Sequence, residues 1–179
     1  VGLLWDAIND PLVGMLSDRV QSRWGRRRPF LLLFSIPFGI SFSLMWAVPE
    51  LDSQIALAAY VTFAFMLVDT FGTLLSVPYL SLIPELTKDY DERTSLAGFR
   101  TVFQLLGSLT VVIAAPMIID RAIESGLSQK EGFVTAGGIF GFISILLFLV
   151  VFFFIKEDQS VDLPEKISFK QTIAHAWAN

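Results

Sequence analysis

Residues 1–19 read V-G-L-L-W-D-A-I-N-D-P-L-V-G-M-L-S-D-R, an apolar run interrupted by two aspartates. Asp6 and Asp10 are four residues apart, so on a helix both carboxylates share one face, with Asn9 beside them. A charged group at the centre of a bilayer costs several kcal/mol, which is why such groups line polar pathways. Asp10 precedes Asp18, the start of an arginine-rich loop, by eight residues; at helical rise that is about 12 Å, well inside a membrane. Pro11 lacks an N–H and so frees the carbonyl of Ala7, a further oxygen near the pair. Hard monovalent cations want several oxygen ligands, and two carboxylates with the Asn9 amide supply a good share. A proton shared between the carboxylates is the other chemistry open to them.

The rest of the chain places this stretch in a membrane. Hydrophobic residues make up 54% and charged residues 17%, and the mean hydropathy is +0.63, outside the range of soluble globular domains. Four later segments, approximately 29–48, 54–83, 95–119 and 133–155, are long enough to cross a hydrocarbon core, which takes roughly 20 apolar residues. Residues 1–16 read as a fifth spanning helix cut near its outer end, so the chain is expected to be a fragment. Basic residues set the orientation. Arg19, Arg23, Arg26, Arg27, Arg28, Lys88, Arg93, Lys156, Lys166 and Lys170 fall on one side, against Arg121 and Lys130 on the other, with Arg100 in a helix start. That bias puts loop 17–28 and the polar tail 156–179 in the cytoplasm of a multi-pass inner- or plasma-membrane protein. The tail reads as a linker toward a missing C-terminal half, and its His175 as a solvated side chain. Pro84–Thr94 is expected as a charged inner loop and Met117–Gly132 as the longest outer connection. There is no cysteine.

Further along, Asp69, Gly72, Thr73 and Ser76 fall at offsets 0, 3, 4 and 7, one polar stripe on an apolar helix. Asp69 can accept a substrate hydroxyl, serve as a second acidic station, or pair with a residue of another helix. Gly137, Gly138 and Gly141 suggest close helix packing. Trp5 and Trp46 read as interface belt residues, although Trp5, next to Asp6, can also line the path. No phosphate loop, nucleophile–base set or transition-metal spacing appears, so no enzyme and no cofactor is expected beyond a coupling cation.

Several motifs occur in order: W-D-A-I-N-D-P at Trp5–Pro11, G-R-R-R-P-F at Gly25–Phe30, V-P-Y-L-S-L-I-P-E-L-T at Val77–Thr87 and D-Y-D-E-R-T at Asp89–Thr94. Together they resemble the glycoside–pentoside–hexuronide:cation symporters of the major facilitator superfamily, the group containing melibiose permease. The resemblance implies an all-α membrane fold, here helices two to six of a twelve-helix transporter. It makes Gly14, Asp18, Arg19, Gly25, Arg26, Arg27 and Arg28 the loop signature that follows the second helix. Gly14 would allow close approach of helices, and Asp18 with the arginines would form a charge network that holds one conformation and releases in another. The arginines also suit anchoring at anionic lipid. The resemblance places Thr73 and Ser76 at the cation site with Asp6, Asn9 and Asp10. It also places Arg100, with Gln104 one turn on, in the substrate cavity beside Asp69. The planar fork of Arg100 can hold vicinal hydroxyls or a carboxylate; snorkelling to the interface is its plainer use.

Two departures stand out. The family's aspartate is Ser76 here, and the aromatic platform one turn later is Leu80. Both weaken the case for sodium and for a galactoside-like sugar, and the missing acid favours a proton. The expected activity is symport of a sugar or glycoside with H+ or Na+, by alternating access. The partners are that small molecule, the monovalent cation, membrane lipid and the remaining half of the chain, with no nucleic acid. A sodium-dependent lysophospholipid carrier of the same superfamily, or a sensor or scaffold that kept the fold, are the alternatives.

Overall fold

A computed structural model describes residues 2–20, 22–86 and 89–155, and the expected tail with His175 lies outside them. The chain forms five helices: α1 Gly2–Arg19, α2 Arg28–Trp46, α3 Gln54–Leu86, α4 Tyr90–Glu124 and α5 Gln129–Phe154. The last four contain segments long and apolar enough to cross a membrane. α1 falls short of that standard because its 18 residues carry Asp6, Asp10, Asp18 and Arg19.

Several helices outrun their apolar stretches. α4 begins at Tyr90, not Ser95, because Asp89 caps it, accepting from the backbone N–H of Asp91 at 2.8 Å and of Glu92 at 3.0 Å. An acidic first turn suits the positive end of the helix dipole. The expected inner loop Pro84–Thr94 is therefore largely helical at both its ends. At the other end α4 continues to Glu124, and Ser128 starts α5 with a capping box closed by Glu131. The expected long connection Met117–Gly132 thus contracts to residues 125–128, where Gly126 turns the chain at φ +98°. Hydropathy marks the part of a helix that suits lipid; capping residues mark where the helix itself ends.

α2 lies between α3 and α5, and small residues let it approach closely. A Cβ on Gly39 or on Gly141 would stand 2.6 Å from the other's carbonyl oxygen, and one on Gly137 would stand 2.6 Å from Trp46. Gly138, the third glycine of that run, faces open space. The buried hydroxyls of Ser35 and Ser41 donate to carbonyls of their own helix, Leu32 at 3.2 Å and Pro37 at 2.7 Å, so neither hydroxyl is left bare. Leu31, Leu75, Leu82 and Phe152 form one apolar cluster joining α2, α3 and α5. Val13, Phe30 and Leu74 form a second, which joins α1 to the bundle.

The arginine-rich loop folds back onto helix ends. Gly25, at φ +102°, makes the turn. Arg27 donates through Nη1 to the carbonyl of Ser81 on α3. Arg28 donates through Nη2 to the carbonyl of Phe152 on α5 at 2.5 Å, and Trp24 meets the same Phe152 ring edge-on at 6.0 Å. Phe152 is in the last turn of α5, where carbonyls have no partner within the helix and cations are favoured. Because one loop reaches the C-terminal parts of α3 and α5, it fixes direction: α1, α3 and α5 all run toward this basic end, and α2 and α4 run away from it.

Candidate cation and substrate site

Parallel α1 and α3 meet along one seam. Trp5 donates through its indole N–H to Thr70 Oγ1 at 3.0 Å, and two turns further on Val13 shares a cluster with Leu74. The segment of α1 between those contacts, about 12 Å long, therefore runs past the shorter Thr70–Leu74 stretch of α3. That α1 segment contains Asp6, Asn9 and Asp10. Asn9 and Thr73, each 8% exposed, are both buried at this level. Asp10 is exposed, and Asp6 is in the helical backbone with its side chain outside the described set.

The expected stripe on α3 divides. Gly72 turns toward α2, where a Cβ would meet Phe38 at 3.5 Å. Thr73 is buried, Asp69 is half-buried, and Ser76 is exposed, as is Leu80 one turn beyond it. The structure therefore brings Asn9 and Thr73 into one layer and leaves Ser76 on an open face of α3.

Arg100 and Gln104 belong to a different place. α4 meets α5 near the far end, where Ala122 is buried and Ile119 stands against Gly132. Toward the basic end it parts from α3 and leaves a cleft of about 520 Å³. Tyr79 and Leu82 of α3 line it opposite Leu96, Arg100, Phe103 and Gln104 of α4. Asp69 is not among the cleft-lining residues. It precedes Tyr79 by ten residues, about 15 Å along α3, so the expected trio of Asp69, Arg100 and Gln104 separates into two levels.

The loop signature is also altered in detail. Gly14 makes no close approach: among the described residues nothing lies within 4 Å of a Cβ placed there, and its carbonyl accepts from Ser17 Oγ at 2.9 Å. Asp18 and Arg19 end α1, with side chains outside the described set. Arg26 is half-buried beside Arg27 and Arg28, and the latter two grip backbone carbonyls as described above. Thr70 escaped the sequence reading altogether. Its signal was a hydroxyl three residues before Thr73 on the same helix, one residue after Asp69.

The bundle is apolar, and an acidic stretch of α1 runs beside the threonine-bearing stretch of α3. The sequence profile described as "MFS/sugar transport protein" matches residues 1–177, and the chain belongs to that family. An uncharacterised symporter of Synechocystis is 42% identical over 135 residues, covering 73% of this chain and 24% of its own. A putative glycoside/cation symporter of Escherichia coli is 34% identical over 164 residues, covering 91% of this chain and 35% of its own. A sodium-dependent lysophosphatidylcholine symporter of Xenopus tropicalis is 28% identical over 188 residues, covering 88% and 35%. The chain thus spans between a quarter and about a third of these relatives' length.

Proposed function

We propose that this chain supplies part of the N-terminal half of a symporter that moves a sugar or glycoside with a cation, by alternating access rather than by chemical conversion. The observation that carries this reading is the run of the Asp6–Asp10 segment of α1 past the Thr70–Leu74 segment of α3. An acidic stretch beside a threonine-bearing helix within an apolar bundle suits a small cation. Asp6, Asn9 and Asp10, with Thr73, are its ligand set, and Ser76, one turn on from Thr73 on the open face of α3, is a flanking hydroxyl. Arg100 and Gln104 hold the substrate from the cleft, and Asp69 belongs with the cation level, about 15 Å along α3 from Tyr79. Loop 17–28 is on the cytoplasmic side, where the arginines that grip α3 and α5 also meet anionic lipid. The coupling ion is a proton or sodium, and Ser76 in place of an acid favours the proton.

The name of the glycoside/cation relative supports a sugar-like substrate. A lysophospholipid is the second reading, favoured by the apolar walls of the cleft, Leu82, Leu96 and Phe103. Counterflow of labelled glycosides and of a labelled lysophospholipid in vesicles holding the full-length protein, with and without sodium and across pH, separates the readings. Glycoside exchange that neither sodium concentration nor pH alters would remove the coupling; exchange of the lysophospholipid alone would replace the substrate.

A further inference from the structure

The contact between Trp5 and Thr70 is a directional one in the α1–α3 seam. Thr70 donates its own proton to the carbonyl of Met66 at 2.7 Å, which leaves a lone pair of Oγ1 aimed at the indole N–H 3.0 Å away. Nearer the basic end Val13 shares an apolar cluster with Leu74 and Phe30. Apolar contact is non-directional and resists sliding weakly, whereas a hydrogen bond falls off steeply with distance and angle. A slip of one residue would carry α1 about 1.5 Å along α3. Misplacement on the 1 Å scale is enough to degrade a ligand geometry. Between the two contacts sits Asn9, whose Nδ2 is buried with no hydrogen-bond partner among the described residues. No hydrogen bond from that nitrogen holds the turn in place among the described residues.

We propose that Trp5 is a positioning residue for the coupling ion: its hydrogen bond to Thr70 sets the register that carries the Asp6–Asp10 turn to the depth of Thr73. The inference rests on the cation-symport reading above. It is distinct from a belt role, because the indole N–H is spent on a neighbouring helix and not on interfacial water.

The test uses purified full-length protein, so the substrate need not be known. Thermal unfolding is followed while sodium chloride replaces choline chloride, and in a second series while protons are added from about pH 8 to about pH 5. In Trp5→Phe, which keeps a ring and loses the donor, the sodium concentration giving half the stabilisation should rise about three- to ten-fold. In a proton-coupled protein the midpoint should instead move about half to one pH unit lower. Thr70→Val should do the same, and Thr70→Ser should behave as wild type. Should Trp5→Phe not reach the membrane, Thr70→Val carries the comparison alone. A lowered melting temperature with an unmoved midpoint means the bond is merely structural and overturns the inference while leaving coupling intact. A wild-type protein whose stability ignores both sodium and protons overturns the coupling reading and the inference with it.

Discussion

The guanidinium of Arg28 lies 5.0 Å from the ring centre of Phe152 and donates to that residue's own carbonyl at 2.5 Å. One side chain thus satisfies an unpaired carbonyl in the last turn of α5 and covers the ring beside it. A lysine has the charge but not the planar fork that does both. Arg28→Lys should lower the stability of the full-length protein by about 1–2 kcal/mol, given the usual strength of charged hydrogen bonds and cation–π contacts. Phe152→Leu, which keeps the carbonyl, should cost less. Melting in detergent checks the order of the two.

The glycines of α5 make a paired prediction. A Cβ on Gly141 would stand 2.4 Å from Ser43 Oγ and 2.6 Å from the Gly39 carbonyl, whereas one on Gly138 meets nothing within 4 Å. Gly141→Ala should destabilise by about 1–3 kcal/mol through overpacking. Gly138→Ala should be neutral or stabilising by up to about 1 kcal/mol, since alanine is the better helix former. Equal effects in a thermal melt would show that α2 and α5 do not approach as closely as described.

Asp10 is an exposed acid on α1. Asp10→Asn keeps the shape and removes the charge, and should abolish cation-dependent accumulation while leaving protein in the membrane. Uptake with an unchanged cation response would remove Asp10 from the ion site. Ser76→Asp restores the acid that the family resemblance leads one to expect, and should lower the sodium concentration needed for half-maximal uptake.

Arg100 faces Tyr79 across the cleft, with Gln104 one turn along its own helix. Arg100→Lys should raise the substrate KM about ten-fold or more through loss of the two-pronged grip, with a smaller change in maximal rate. A fall in maximal rate at constant KM would assign the arginine to helix anchoring instead.

Much of this architecture was legible from composition, because membrane spans declare themselves by length and polarity. The acidic pair of α1 was legible for the same reason, as a violation of that rule. What the sequence could not disclose was pairing with backbone. Arg27 and Arg28 bind the carbonyls of Ser81 and Phe152, and a carbonyl has no letter of its own. The start of α4 at Tyr90 was hidden because Asp91, Glu92 and Arg93 look like loop until Asp89 is seen to cap them. Thr70 was passed over since a threonine bonding back to its own helix is unremarked in an apolar span, and its second partner lies 65 residues away.

The notch where Gly39 meets Gly141 has a mechanical consequence. With each glycine's missing Cβ occupied by the other's carbonyl, and Trp46 lodged at Gly137, sliding α2 along α5 would drive side chains into backbone. The two helices are keyed like a tongue and groove and must travel as a single beam. Among the described residues, α4 is moored to α5 near one end, so it is the helix of this bundle with most freedom to bend.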